Sequence, residues 1–294
     1  MLSKLIIKKF QSQQLDEIVC LIKQHGIHEL PASKQDFAAR QWVVVKTTIA
    51  DYFKLLSQSN EVTNFTYHLT PLNLKHLAAF IAQSINVEYE MALKYITECM
   101  TDETMQAEFK NVVEKATQNY RLDTTFKIGR RVGWYAIIRL TKPTVVVESG
   151  VEAGIGAFVI TQALMKNQNE GHEGHYYGLD LSQNMGELIP DAAKTRSTLI
   201  VGDSIETLRQ FNKPIDIFIS DSNHTVDFET KELETVNALL KEKSIVVTDN
   251  SHQTDVHLNF ALKNKRSYFY WHEVPISRFF QVGAAGIGLS IKKE

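Results

Sequence analysis

Residues 145–156 read Val-Val-Val-Glu-Ser-Gly-Val-Glu-Ala-Gly-Ile-Gly, an apolar run that leads straight into an acid and three glycines. Three β-branched residues predict a buried parallel strand, and Gly150, Gly154 and Gly156 let the backbone turn tightly and approach a ligand closely. A helix from about Ala157 points its N-terminus at the same place. Together these features predict a nucleotide-type cofactor site. The spacing is Glu-x-Gly-x-x-x-Gly-x-Gly, whereas a dinucleotide fingerprint needs Gly-x-Gly-x-x-Gly; Val159 stands where its third glycine belongs, which disfavours NAD.

Four more strand-like runs end in polar groups. His175 to Leu179 leads to Asp180, Thr198 to Val201 to Gly202-Asp203-Ser204, Ile215 to Ser220 to Asp221, and Ser244 to Thr248 to Asp249-Asn250. An acid after a strand can simply cap the next helix. The alternation of strand and helix, however, predicts a doubly wound α/β sheet whose crevice lies beyond the carboxyl ends of its strands, and these acids converge there. Ser267 to Val274 and Gly286 to Lys292 then form an antiparallel pair at the sheet edge.

In its glycine-turn spacing, ordered strand-end acids and closing strand pair, the stretch from about Thr141 to Glu294 resembles the class I S-adenosylmethionine-dependent methyltransferases. The resemblance implies a seven-stranded, mostly parallel Rossmann-like sheet with its last strand reversed, and S-adenosylmethionine as cofactor. Glu148, Gly150 and Gly154 would hold its methionine end, Asp180 its ribose hydroxyls, and Asp203 and Ser204 its adenine. Asp221-Ser222-Asn223-His224 is similar to the Asp-Ser-Asp-His segment of the cephalosporin hydroxylase and rhamnosyl O-methyltransferase group. Thr248-Asp249-Asn250 is similar to catechol O-methyltransferase, whose Asp, Asp and Asn metal ligands fall on Asp221, Asp249 and Asn250.

That second likeness implies magnesium or calcium on three oxygen ligands, with a substrate hydroxyl on a remaining octahedral position. The lysine base of catechol O-methyltransferase is replaced here by His224, a residue type that takes up protons near neutrality. His224 and Asp221 are thus the expected catalytic pair. Thr248 stands where the antibiotic-type group has a second adjacent acid. The expected activity is metal-assisted O-methylation of a small-molecule hydroxyl. The alternatives are metal-independent O- or N-transfer, in which Asp221 and Asp249 only order the crevice, and a cofactor-binding protein without turnover.

Upstream, residues 1–125 read as a helical region that caps the crevice or forms a dimer interface, and 126–294 as the catalytic domain. Leu5 to Phe10 could be a strand. Apolar stripes follow at helical spacing: Ala38 to Leu56, then Leu74, Leu77, Ile81 and Ile85 after Thr70-Pro71, then a helix capped by Asn86 and another capped by Thr101. The segment Phe126 to Arg139 offers Arg130 or Arg131 to a carboxylate, or a plain surface helix with snorkelling arginines.

With 294 residues, 44% of them hydrophobic, the chain can build a sizeable core. Its net charge of −2, with no basic stripe interleaved with aromatics, argues against a nucleic-acid partner. No run approaches the ~20 apolar residues of a membrane span, so a cytoplasmic enzyme with a small-molecule substrate, with a homodimer as one option, is expected. Cys20 and Cys99 form no motif and read as buried thiols. His172 and His175 lie in a polar stretch without cysteines and read as solvated. His252, three residues past Asp249, reads as an exposed loop histidine.

Overall fold

The structure, a computed structural model, describes residues 67–117, 122–276 and 285–292. They belong to one compact unit, residues 60–276 and 280–294; a second unit, residues 1–59 and 277–279, lies outside the described residues. The expected strand at Leu5, the stripe from Ala38 and Cys20 fall in that second unit.

Among the described residues, three helices come first: α1 (Pro71–Ile85), α2 (Tyr89–Thr101) and α3 (Glu103–Lys115). Then α4 (Arg131–Thr141) leads into β1 (Val145–Ser149), α5 (Ile155–Asn169), β2 (His175–Asp180), a 3-10 turn (Asp191–Arg196) and β3 (Ser197–Val201). The chain continues through α6 (Ser204–Gln210), β4 (Ile215–Ser220), α7 (Val226–Asn237), β5 (Leu240–Thr248), α8 (Val256–Lys263), β6 (Arg266–His272) and β7 (Gly286–Lys292). The strands form a single seven-stranded sheet in the order β3-β2-β1-β4-β5-β7-β6. Pairing is parallel from β3 to β5, and β7 runs antiparallel to both β5 and β6. This is the Rossmann-like methyltransferase architecture.

Because side chains alternate across a strand, neighbouring residues feed opposite layers. Val146, Ile217, Ile219, Ile245 and Val247 pack with α1 to α5, whereas Val147, Phe218 and Val246 pack with α6, α7 and α8. The first layer includes Leu77 and Ile81 of α1, Ile96 of α2 and Phe109 of α3, so these helices share the sheet's own core. Cys99 is a buried free thiol within it.

Helix caps follow local chemistry. Thr70 accepts from Asn73 N–H, with Pro71 at the first helical position, as expected. Asn86 instead ends α1 in a left-handed conformation (φ 55°), which asparagine tolerates better than most residues. Thr101 is the last residue of α2, and Asp102 caps α3 by accepting from Met105 N–H at 2.9 Å. The hydroxyl of Thr101 is bonded back to Thr97 O, within its own helix.

Candidate active site

The carboxyl ends of the central strands finish level, because the backbone ladder continues one residue past each of them. Gly150 N–H donates to Leu179 O at 2.9 Å, Gly202 N–H to Asp180 O at 2.9 Å, Asp221 N–H to Ser149 O at 2.8 Å, and Asp249 N–H to Ser220 O at 2.8 Å. Asp221 and Asp249 are thereby set side by side. Gly150 (φ 89°) lies so close to Asp221 that a β-carbon on it would come within 2.0 Å of Asp221 O. At Gly154 (φ 104°) the turn enters α5, whose N-terminus carries no side-chain cap and keeps its first amides free for a ligand.

Each strand-end acid has acquired a definite partner. Asp180 accepts the amides of Val151 and Glu152 on Oδ2, at 2.9 and 2.8 Å, and that of Ser182 on Oδ1, so it braces the glycine turn. One acceptor position on Oδ1 is left over. Asp203 caps α6 by accepting from Glu206 N–H at 3.1 Å. Ser204 is buried and donates to Glu232. Glu148 points into the core, where the Tyr176 hydroxyl donates to it and a β-carbon at Gly156 would strike its Oε1. Burial pushes the Glu148 carboxyl up to about 8, against the opposing Tyr176 hydrogen bond.

At the acid pair, Arg130 donates through Nε and Nη2 to the two oxygens of Asp249, and its Nη1 reaches Glu273 Oε2 at 3.3 Å. Glu273 Oε1 also accepts the Arg130 backbone N–H at 2.8 Å. Burial drives the Asp221 carboxyl well above its ordinary range, reinforced by the charge of Asp249 and opposed by Arg131 and Arg130. Asp249 goes the other way: burial alone would raise it, but the Arg130 charge and hydrogen bonds outweigh that and hold it low. The opposite directions follow from the guanidinium that sits on Asp249 and not on Asp221.

His224 and Asn250 complete this corner. His224 Nε2 lies 3.0 Å from Asn250 Nδ2 and 3.8 Å from Asp221 Oδ1, while its Nδ1, 3.7 Å from Glu229, has no hydrogen-bond partner. Asn250 takes a left-handed φ of 50° that turns its side chain back toward the histidine. His252 is exposed, as expected for a loop residue.

Asp221, His224 and Asp249 each bring one potential ligand atom, all within 4.8 Å of one another. The charges decide whether a hard divalent ion fits. Both oxygens of Asp249 are taken by a guanidinium, so an ion there would face a fixed positive charge at close range. Asn250 lies against His224. In this arrangement the donor set does not fit magnesium or calcium.

Two features are absent from any motif. Arg130 as the partner of Asp249 is one; its signal was an Arg-Arg pair opening a helix, where the macrodipole disfavours cations unless acids lie nearby. Glu232 is the other. Fully buried on α7, it accepts the hydroxyls of Ser149 (2.5 Å), Ser220 (2.6 Å) and Ser204 (2.8 Å), tying the ends of β1 and β4 to the start of α6.

Residues 147–251, from β1 to the turn after β5, match a family model described as a methyltransferase domain. The strand order is that of the class I S-adenosylmethionine-dependent methyltransferase fold. The matched stretch contains the glycine turn and all five strand-end acids, Glu148, Asp180, Asp203, Asp221 and Asp249. Among solved structures, the domain is similar to the O-methyltransferase from Bacillus cereus in complex with S-adenosylhomocysteine (TM-score 0.50, 12% identity, 64% of this chain and 91% of that chain). It is also similar to the O-methyltransferase TomG from Streptomyces achromogenes, in complex with S-adenosylmethionine and involved in tomaymycin synthesis (TM-score 0.48, 15% identity, 62% and 90%). A methyltransferase from Podospora anserina is comparable (TM-score 0.46, 14% identity, 65% and 88%). At 12% identity the likeness to the Bacillus cereus structure speaks to the fold alone. No curated protein matches the chain. No helix among the described residues is long and apolar enough to cross a membrane.

Proposed function

We propose that the domain transfers the methyl group of S-adenosylmethionine to the hydroxyl of a small molecule, without a divalent ion. The cofactor fits the residues present. The amides at the uncapped N-terminus of α5 would hold its amino-acid end, and the remaining acceptor position on Asp180 would take its ribose hydroxyls. The exposed side chains of Leu181 and Val201, beside Asp180 and Asp203, offer its base an apolar surface. When bound, it would supply an electrophilic methyl on a sulfonium, whose sulfur keeps the electron pair of the broken sulfur–methyl bond and leaves as S-adenosylhomocysteine. His224 takes the proton that the acceptor hydroxyl gives up as its oxygen bonds to that methyl. Asp221, beside the histidine, orients the hydroxyl, and Arg130 balances the charge of Asp249.

The observation that carries this reading is the position of His224 beside Asp221 at the level of the glycine turn, next to an acid pair that already holds its own cation. A second reading keeps the ion: Asp221, His224 and Asp249 would bind magnesium if Arg130 released Asp249. Calorimetry tests the shared part. S-adenosylhomocysteine is expected to bind in the micromolar range and NAD not at all; binding of NAD alone would overturn the reading.

A further inference from the structure

Two arginines stand side by side at the start of α4 and are treated very differently. Arg130 donates to both oxygens of Asp249 and to Glu273. Arg131 has one long hydrogen bond, from Nη2 to Asp221 Oδ2 at 3.3 Å. Its Nε and Nη1 are buried and have no partner at all, although the side chain is only 11% exposed. A buried guanidinium donor without an acceptor is costly, and native proteins seldom leave one unexplained.

The surroundings hold this group in place. Its carbon centre lies 5.0 Å from the Tyr67 ring and 5.5 Å from the Trp134 ring, so two aromatic faces fix the guanidinium and keep water off it. Trp134, one helical turn on, reaches Gly156, where a β-carbon would meet its ring at 2.7 Å. Asp221, on the other side, touches Gly150. Arg131 therefore lies between the glycine turn and the acid pair. Its charge does not serve its own helix, because the N-terminal end of a helix disfavours cations.

Resting on the methyltransferase reading, we propose that Arg131 anchors a carboxylate of a ligand in the crevice. A planar, singly charged group can accept from the free donors without displacing Asp221. A phosphate dianion would bring a second charge that this one guanidinium, already bonded to Asp221, cannot balance. The carboxylate has two sources, the amino-acid end of the cofactor or an acid group on the methyl acceptor, which would then be a hydroxy acid.

Calorimetry on the full chain, comparing wild type with Arg131→Gln and Arg131→Lys, separates these. The probes are S-adenosylhomocysteine, methylthioadenosine, which lacks the amino-acid end, and, with S-adenosylhomocysteine saturating, 3-hydroxybenzoate against its methyl ester. If the cofactor supplies the group, Arg131→Gln weakens S-adenosylhomocysteine about tenfold or more and leaves methylthioadenosine unchanged, with partial recovery in Arg131→Lys. If the acceptor supplies it, both nucleosides bind as in wild type, and the wild-type preference for the benzoate over its ester vanishes in Arg131→Gln. Unchanged S-adenosylhomocysteine binding together with no Arg131-dependent preference for the benzoate overturns the anchor alone. Failure of wild type to bind S-adenosylhomocysteine overturns the methyltransferase reading and the anchor with it.

Discussion

Arg130 closes on Asp249 side-on, Nε and Nη2 each donating to a different carboxylate oxygen, and the two side chains are 5% and 0% exposed. A pair buried this deeply need not stabilise the fold more than apolar residues would, but breaking it leaves charge stranded in the core. Arg130→Gln is expected to cost about 3–5 kcal/mol in urea denaturation. Arg130→Lys recovers only part, since an ammonium cannot serve both oxygens in one plane. A loss within the scatter of surface substitutions would mean that the pair does not persist in solution.

The same guanidinium makes an added cation redundant. Methyl transfer and melting temperature are both expected to be indifferent to a strong chelator and to magnesium. A rate abolished by chelation and restored by magnesium would instead place an ion on Asp221, His224 and Asp249.

Burial raises the Glu148 carboxyl to about 8 in the folded chain. Between its unfolded value, near the ordinary 4.5, and 8, the unfolded state releases a proton that the folded state keeps, so this group subtracts stability progressively as pH rises through that window. Each unit is worth about 1.4 kcal/mol at most. Glu148→Gln, which mimics the protonated acid and still accepts from Tyr176, should melt higher than wild type at pH 8 and approach it near pH 5. Thermal melts across that range would count against the assignment if the two proteins ran parallel.

His224→Ala removes the proton acceptor but none of the groups placed near the cofactor. The transfer rate is expected to fall by roughly 10²–10⁴, with S-adenosylhomocysteine affinity unchanged in calorimetry. A rate within a few-fold of wild type would move the base elsewhere.

Much of the sheet was legible because strands here are short apolar runs punctuated by turn residues and acids. The spans of β4 and β7 match their sequence limits residue for residue. Strand β5 begins four residues earlier than its apolar run, because Lys241, Glu242 and Lys243 carry it across solvent before it enters the core. That Asp180, Asp203, Asp221 and Asp249 stand at the carboxyl ends of their strands was legible for the same reason. What each acid holds was not. Tyr176 reaches Glu148 across 28 positions and Arg130 reaches Asp249 across 119, and no local pattern encodes such pairs. The caps at Asn86 and Thr101 were misread because asparagine suits either end of a helix and threonine can bond back into its own turn.

Strand β7 is the last to be made, yet it slots between β5 and β6. The turn that carries Asp249 and Asn250 leans on it: Ser251 N–H donates to Gly286 O, and Gly288 N–H to Ser251 Oγ. On the ribosome, at about 5–20 residues per second, the five parallel strands emerge first, with the place beside β5 still vacant. The turn after β5 therefore gains these two hydrogen bonds only once β7 is in place. A nascent chain can thus pair β1 to β5 and form its glycine turn while that turn after β5 still lacks its support.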